Sequence, residues 1–169
     1  MKCIFAPWRS SYAGSQDQSK KTDTTSAQCV FCSQLQENKD KENFIIKRFK
    51  HSFVILNRYP YNAGHLLILP IKHRGSLNEL SKSERSELME ITNQSIILLQ
   101  KSFQNDGVNV GLNLGKSAGA GIPSHLHIHI LPRWQGDTNF MPTIAETKII
   151  SFDLKKVYEQ LRLAFKKLD

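Results

Sequence analysis

The stretch His125–Leu131 reads HLHIHIL, with a histidine at every second position and an apolar residue between the histidines. Because side chains alternate between the two faces of a β-strand, this spacing predicts a strand with three imidazoles on one face and aliphatic side chains on the other. The aliphatic face suits a hydrophobic core, whereas three adjacent titratable rings are costly to bury. The histidine face is therefore the first candidate for a functional site.

Two kinds of chemistry fit a row of three imidazoles. One is a metal site, because imidazole is a common zinc ligand. The other is nucleophilic catalysis, in which a neutral imidazole attacks phosphorus while its neighbours fix its tautomer. The upstream segment Asn113–Gly121, NLGKSAGAG, favours phosphate, because its small residues let backbone N–H groups approach an anion. It is not a P-loop, since Val110 stands where that motif needs its first glycine and a strand is predicted to follow.

A second cluster is the C-x-x-C pair formed by Cys29 and Cys32. The pair fits a zinc half-site, a redox pair or two inert cysteines. A redox motif calls for a thioredoxin-like strand–helix setting, whereas a polar linker precedes Cys29. Zinc needs two more ligands, for which His73 and His125 are the natural candidates, and a closed Cys2His2 set is structural rather than catalytic. Zinc is the favoured interpretation, and the other two stay open.

Short apolar runs around the histidines predict strands, and longer periodic runs predict helices. A capping-box spacing from Ser81 to Glu84 opens a helix that runs through Phe103, and an amphipathic helix covers Leu154–Leu168. This order predicts an α+β fold, a roughly five-stranded antiparallel meander sheet with one long helix after the third strand and a C-terminal helix. The predicted strands are Asn43–Arg48, Ser52–Asn57, His65–Pro70, Val108–Leu114 and His125–Leu131.

The length of 169 residues predicts a single domain with extensions at both ends. Residues 1–28 are expected to form an N-terminal extension, because the segment Ser10–Gln28 is polar and reads as a linker. Residues 29–135 then form the domain itself. Residues 136–169 are expected to form a C-terminal extension whose amphipathic helix packs on the same domain.

The charge of the chain is strongly basic, with 23 Lys+Arg against 15 Asp+Glu and a formal net charge of +8. With 9 Gly, 6 Pro and 3 Cys, the composition excludes collagen, coiled-coil, disulfide-rich and wholly disordered classes. A basic surface can attract nucleic acid, an anionic membrane or a small polyanion. The lysine-rich segments lack interleaved aromatic residues, so we expect no specific nucleic-acid partner.

The expected location is the cytoplasm. No apolar run approaches the roughly 20 residues that a membrane-spanning helix needs, so we expect no membrane partner. The start, Met1–Arg9, lacks the apolar stretch and cleavage site of a signal peptide. An odd count of 3 cysteines suits a reducing compartment better than a disulfide framework.

These motifs resemble the histidine triad (HIT) superfamily, whose signature His-φ-His-φ-His-φ-φ, with φ apolar, is matched by His125–Leu131. The resemblance covers roughly residues 29–133 and includes the strand–turn–strand Phe53–Pro70. Within the superfamily the chain resembles most the bacterial diadenosine tetraphosphate phosphorylase-type members. That likeness rests on Ala6–Arg9, Cys29–Cys32, Asn109–Gly115, Ala118–Ile122 and Pro132–Pro142.

The resemblance implies a nucleotidyl-transferring enzyme that cleaves dinucleoside polyphosphates. His127 would be the nucleophile that takes the nucleotide as a nucleotidyl-histidine intermediate. His129 and His65 would contact the phosphate beside it. His125 would orient the triad or bind zinc together with the cysteine pair and His73.

The same resemblance assigns the residues that bind substrate. Asn57 would hydrogen-bond the ribose, and Ile55 and Leu67 would form apolar walls for the base. Ile122 departs from the pattern, because many relatives carry a glutamine in this region. The phosphate groups would meet Asn113, Lys116 and Ser117 and the backbone of Gly119 and Gly121.

Several alternatives stay open at this point. The intermediate can be resolved by phosphate, which gives a phosphorylase, or by water, which gives a hydrolase. A HIT hydrolase of nucleoside phosphoramidates would use the same residues, and a non-catalytic nucleotide-binding module would keep the fold without turnover. The resemblance also implies a homodimer, a structural zinc ion and no catalytic organic cofactor.

Overall fold

The computed structural model describes residues 29–146 and 152–168. The N-terminal extension predicted for residues 1–28 lies outside the described residues. Four helices and five strands make up the described part. The helices are α1 (Val30–Gln36), α2 (Lys82–Phe103), α3 (Met141–Ala145) and α4 (Leu154–Phe165), and the strands are β1 (Ile45–Arg48), β2 (Ser52–Leu56), β3 (Leu66–Pro70), β4 (Gly107–Leu112) and β5 (Ile128–Arg133). Short 3₁₀ turns cover Leu77–Glu79 and Lys116–Ala118.

The five strands form one antiparallel sheet in the order β1-β2-β3-β5-β4, which confirms the predicted fold class. The order is not that of a strict meander, because β5 lies between β3 and β4. Ile130 of β5 pairs with Leu66 on one side and with Val110 on the other. The residue pattern gives the reason, since β4 is largely exposed and suits an edge, whereas Ile128 and Ile130 of β5 are buried.

One face of the sheet carries the larger core, built against α2 and α4. The aliphatic residues Leu126, Ile128 and Ile130 pack into this core, as the alternation of the histidine stretch predicts. The two helices supply the other wall of the core. Their buried residues are Leu88, Ile91 and Leu99 on α2 and Val157, Tyr158, Leu161 and Phe165 on α4.

The other face of the sheet carries a smaller core beneath α1. Phe31, Cys29 and Cys32 pack there against buried residues of the first three strands. The histidines of the stretch His125–Leu131 lie on this side, since the Phe31 ring centroid is 5.6 Å from that of His127. The two faces of the sheet therefore have different roles. One packs into the main core, and the other carries the candidate site.

Helix α2 begins as the sequence predicts. The Ser81 hydroxyl accepts a hydrogen bond from the Glu84 N–H, and the Glu84 carboxylate accepts one from the Ser81 N–H at 2.7 Å. This reciprocal capping satisfies two N–H groups that the first helical turn leaves without partners. The helix ends at Gln104, whose φ of 50° places it in the left-handed conformation that often stops helices.

The predicted strand His125–Leu131 is shorter than expected, because β5 begins only at Ile128. The preceding residues lie outside the ladder, and the Leu126 N–H donates to the Arg74 carbonyl oxygen at 2.6 Å. Leaving the ladder lets His125 turn toward the cysteine pair. Within the two described ranges, no helix is both long and apolar enough to cross a bilayer.

Candidate active site and adjoining metal centre

A chain of hydrogen bonds links His65 to His129 and assigns the protons on both rings. His65 Nδ1 accepts from the Tyr61 backbone N–H at 3.1 Å, with the Asn57 side-chain nitrogen at 3.3 Å. The His65 proton therefore sits on Nε2, which donates to His129 Nδ1 at 2.9 Å. His129 in turn carries its proton on Nε2, as a donor available to a ligand.

His127 has the opposite arrangement. Its Nδ1 lies 2.8 Å from the His125 carbonyl oxygen, which only accepts, so Nδ1–H is the donor. Nε2 of the neutral ring is then left unprotonated, as a nucleophile requires. The His127 and His129 ring centroids are 5.0 Å apart, so a second imidazole, which carries its proton on Nε2, lies beside the His127 ring.

The environment keeps the surrounding histidines neutral near pH 7. Burial, reinforced by nearby His129 and His127, lowers the pKa of His65 from 6.5 to about 4. Burial also lowers the pKa of His125 to about 4 and the pKa of His129 below its ordinary value. Neutral rings preserve the donor and acceptor pattern, because a second proton would remove the acceptor nitrogens.

A pocket of about 340 Å³ opens beside these rings, a size that suits a small ligand such as a nucleotide. Ile55 and Leu67, which are paired across β2 and β3, form part of its apolar wall. Asn57 also lines the pocket, and its side-chain nitrogen lies 3.3 Å from His65 Nδ1. Seven residues predicted for the site line the pocket together: Ile55, Asn57, Leu67, Gly119, Gly121, His127 and His129.

The glycine-rich loop reaches the pocket only through its second half. Gly119 has a φ of 86°, a conformation that side chains disfavour, and it lines the pocket together with Gly121. Asn113 Nδ2 lies 3.5 Å from the Gly119 carbonyl oxygen and so spans the loop. Asn113, Lys116 and Ser117 are outside the pocket lining, and their phosphate contacts stay a prediction.

Other residues that line the pocket were not predicted from the sequence, among them Phe31, Asn43 and Tyr61. Phe31 comes from α1 and packs against the His125 and His127 rings, each with its centroid 5.6 Å away. The one sign in the sequence that Phe31 belongs to the site was its position inside the C-x-x-C pair. Contacts that hold both cysteines in place also orient the residue between them. Tyr61 lies four positions before His65, and within a turn this spacing does not predict that the two side chains lie close together.

The four predicted metal ligands lie close to one another. Four ligand atoms, from Cys29, Cys32, His73 and His125, all lie within 4.8 Å of one another. His125 Nδ1 is 3.3 Å from Cys29 Sγ and 3.4 Å from Cys32 Sγ. With Zn–S of about 2.3 Å and Zn–N of about 2.0 Å, a tetrahedral site places neighbouring sulfur and nitrogen atoms about 3.5 Å apart. The four side chains therefore fit a zinc ion.

The outer contacts of this cluster also suit a metal. His125 Nε2–H donates to the Pro70 carbonyl oxygen at 2.9 Å, which leaves Nδ1 as the free ligand nitrogen. Burial and the neighbouring Cys29 raise the pKa of the Cys32 thiol to about 11. His125 belongs to the metal cluster through its ring and to His127 through its carbonyl oxygen.

Comparison with known proteins points to the same family that the sequence motifs resemble. A family model described as the HIT domain matches residues 38–136, more than half of the chain. A protein of Mycobacterium tuberculosis named AP-4-A phosphorylase is 34% identical over 147 residues, which cover 87% of this chain and 75% of that protein.

Two solved structures share the architecture. A histidine triad nucleotide-binding protein from Sulfolobus tokodaii superposes with a TM-score of 0.68 and 26% identity, covering 83% of this chain and 93% of that one. A zinc-bound histidine triad family protein from Mycobacterium smegmatis has a TM-score of 0.69, covers 86% of this chain and 98% of its own, and at 24% identity is a likeness of fold. The chain belongs to the HIT family.

Proposed function

We propose that the chain is a nucleotidyl-transferring enzyme that cleaves dinucleoside polyphosphates of the diadenosine tetraphosphate type. The observation that carries the proposal is the hydrogen bond from His127 to the His125 carbonyl oxygen, which leaves His127 Nε2 unprotonated at a pocket suited to a nucleotide. The 34% identical relative named AP-4-A phosphorylase supports the class of substrate.

The chemical step follows from the positions of the protons. The His127 Nε2 lone pair attacks the α-phosphorus, and the N–P bond forms as the bond to the bridging oxygen breaks. The electron pair of that bond leaves with the second nucleoside polyphosphate. His129 donates its Nε2 proton as a hydrogen bond to phosphate oxygen, and His65 holds His129 in that tautomer. Water or phosphate then releases the nucleotide from His127.

The remaining contacts of the substrate belong to the same proposal. The base lies against Ile55 and Leu67, and the ribose hydroxyls meet Asn57, which lines the same pocket. The phosphate chain passes the glycine-rich loop. Its partners there are Asn113, Lys116, Ser117, Gly119 and Gly121.

Product analysis tests the proposed function. The protein is incubated with diadenosine tetraphosphate, with and without inorganic phosphate. ADP plus ATP, formed only when phosphate is present, indicates a phosphorylase, and AMP plus ATP formed in water alone indicates a hydrolase. A nucleoside phosphoramidate turned over in place of the dinucleotide indicates the phosphoramidate hydrolase. No turnover of either compound contradicts an enzyme and leaves a nucleotide-binding module.

A structural zinc ion is part of the proposal. Cys29, Cys32, His73 and His125 would hold it, and it would tie α1 to the segment that carries the histidines. The donor set of two thiolates and two imidazoles supports zinc, because soft sulfur with imidazole is the combination that zinc prefers. Its chemical contribution is to fix His125, and through the His125 carbonyl oxygen the orientation of His127.

We also propose a homodimer in the cytoplasm. The edge strand β4 and the exposed Met89 and Ile97 on α2 support a second copy as partner. The odd count of 3 cysteines supports a reducing compartment. Sedimentation equilibrium at micromolar concentration is expected to give twice the chain mass, and the mass of one chain contradicts the dimer.

A further inference from the structure

Two tyrosines at the mouth of the pocket are unusually exposed. Tyr59 has 80% and Tyr61 58% of its surface accessible, and both line the same pocket as His127 and His129. Together they form the tyrosine rim, on the turn between β2 and β3. Aromatic rings are apolar on their faces, so two of them held in water beside a binding site point to a ligand that covers them.

The backbone of the tyrosine rim is held in place. The Tyr59 N–H donates to the Asn57 side-chain oxygen at 3.0 Å, and the Tyr61 N–H donates to His65 Nδ1 at 3.1 Å. Pro60 stands between the two tyrosines and restricts φ at that position. The rings are therefore carried on a pre-organised support, which lowers the entropic cost of binding.

The rim continues the row of rings that starts at the catalytic histidines. The Tyr61 ring is nearly parallel to that of His129, with an interplanar angle of 13° and centroids 5.8 Å apart. Its centroid is 4.7 Å from that of His65. The path from the inner apolar wall past His127 and His129 therefore leads out over Tyr61.

We propose that the tyrosine rim is the binding site for the second nucleoside of the substrate, the one that departs with the leaving group. This inference rests on the proposed function, since only a dinucleoside polyphosphate has a second nucleoside. With the first base against Ile55 and Leu67 and the α-phosphorus at His127, the rest of the substrate leaves the pocket at the rim. Stacking of a base on exposed aromatic rings is the chemistry that this surface offers.

Arg58 adds a charge of the right sign at the same edge. It lines the pocket, and its guanidinium group donates to the Glu42 carbonyl oxygen at 3.1 Å and lies 5.6 Å from the Phe44 ring centroid. A neutral carbonyl acceptor does not cancel the positive charge. The edge thus combines stacking surface with attraction for a phosphate chain.

The test compares two ligands that differ by one adenosine, diadenosine tetraphosphate and adenosine 5′-tetraphosphate. Dissociation constants are measured by calorimetry on the full chain carrying His127→Ala, which prevents turnover, with and without Tyr59→Ala. The decisive quantity is the ratio of the dissociation constants of the two ligands, compared between variants. Adenosine 5′-tetraphosphate carries extra charge, but this affects the ratio equally in every variant and so cancels in the comparison. Tyr59→Ala is expected to shift this ratio against the dinucleotide by about 5- to 150-fold, the range that stacking of one base on an aromatic ring supplies.

Two further variants control the result. Tyr59→Phe keeps the stacking surface and is expected to preserve the ratio. Phe152→Ala removes a ring that is 55% exposed and lies outside the pocket, and it is also expected to preserve the ratio. An equal loss of affinity for both ligands in Tyr59→Ala overturns the inference, because Tyr59 would then serve only the first nucleotide.

The outcome separates this inference from the proposed function. If the protein with His127 intact binds diadenosine tetraphosphate without cleaving it, the proposed reaction fails, and the ratio of dissociation constants still decides the role of the rim. If neither ligand binds, both the proposed function and the second nucleoside site are rejected.

Discussion

At the scale of single residues, two backbone groups decide which ring nitrogen carries the proton in His65, His127 and His129. The Tyr61 N–H can only donate, so His65 Nδ1 must accept, and the proton order of His65 and His129 follows. The His125 carbonyl oxygen can only accept, so His127 must donate through Nδ1. Neither group changes its role with pH, which makes the arrangement robust.

Replacement of His127, the proposed nucleophile, is the direct test at this scale. His127→Ala is expected to lower turnover of diadenosine tetraphosphate by about three orders of magnitude or more, because no other group supplies the covalent intermediate. Circular dichroism checks that the variant is folded. His51→Ala is the matched control, since His51 is half-buried outside the pocket. Near wild-type activity in His127→Ala would reject His127 as the nucleophile.

The buried His65 makes stability depend on pH. Its pKa is lowered by burial to about 4 from 6.5, so the unfolded chain binds a proton below pH 6.5 that the folded chain refuses. The stability that His65 contributes is therefore complete above pH 6.5 and is lost as the pH falls toward 4. A shift of this size corresponds to roughly 3 kcal/mol.

Urea denaturation between pH 7 and pH 4 measures this effect. The free energy of unfolding of the wild type is expected to fall more steeply across that window than that of His65→Gln, whose side chain does not titrate. Equal slopes for the two proteins would show that His65 has the same pKa in the folded and the unfolded chain, which contradicts the lowered pKa. The comparison cancels the contribution of the metal cluster, which is common to both proteins.

At the scale of elements, α1 illustrates a helix that depends on its anchors. It has seven residues, and its N-cap Cys29 makes no capping hydrogen bond through its side chain. A helix of this length is marginal on its own. Cys29 and Cys32 bind it to the histidine segment, and Phe31 packs it against the candidate nucleophile.

Loss of the cysteines tests both the zinc proposal and the role of α1. The wild type is expected to contain about one zinc ion per chain by elemental analysis, and Cys29→Ser combined with Cys32→Ser is expected to contain none. The affinity of the double variant for a nucleotide is expected to fall together with its zinc content, because α1 supplies Phe31 to the pocket wall. Ser33→Ala, an exposed change on the same helix, serves as control. A native protein free of metal would contradict the zinc site.

At the scale of the whole molecule, the sheet separates two functions. Its α2 and α4 side holds the main core, and its α1 side holds the rings, the pocket and the metal ligands. Side chains of alternating direction on β5 contribute to both. A substitution on the side that carries α2 and α4 is therefore expected to change the free energy of unfolding more than the catalytic activity.

Two leucines of α4 test this separation. Leu161 is fully buried in the main core, whereas Leu163 is 61% exposed. Leu161→Ala is expected to lower the free energy of unfolding by about 2–5 kcal/mol, because it removes buried methyl groups and leaves a cavity. Leu163→Ala is expected to change it by less than about 0.5 kcal/mol. Equal effects in urea denaturation would contradict the packing of α4 on the core.

Much of the architecture follows from local patterns along the chain. The alternation in HLHIHIL, the capping box at Ser81 and the apolar period of the last helix each encode their own element. The order of the strands does not follow from such patterns. Pairing of β5 with β3 depends on contacts between residues more than 60 positions apart, such as Leu66 with Ile130, and single segments carry no record of that choice.

The sequence by itself determined the fold class, the three-histidine motif and the C-x-x-C pair, because each rests on residue types at a local spacing. His73 lies 41 positions from Cys32, so the sequence offered it as a candidate ligand and the fold decided its approach to the cysteines. Only the tertiary structure decided that β5 lies inside the sheet, that His125 turns to the cysteines, and that Phe31 and the tyrosine rim border the pocket. It also decided the proton on each imidazole. Tautomers are set by the partner that each nitrogen meets, and those partners are brought together only when distant segments pack.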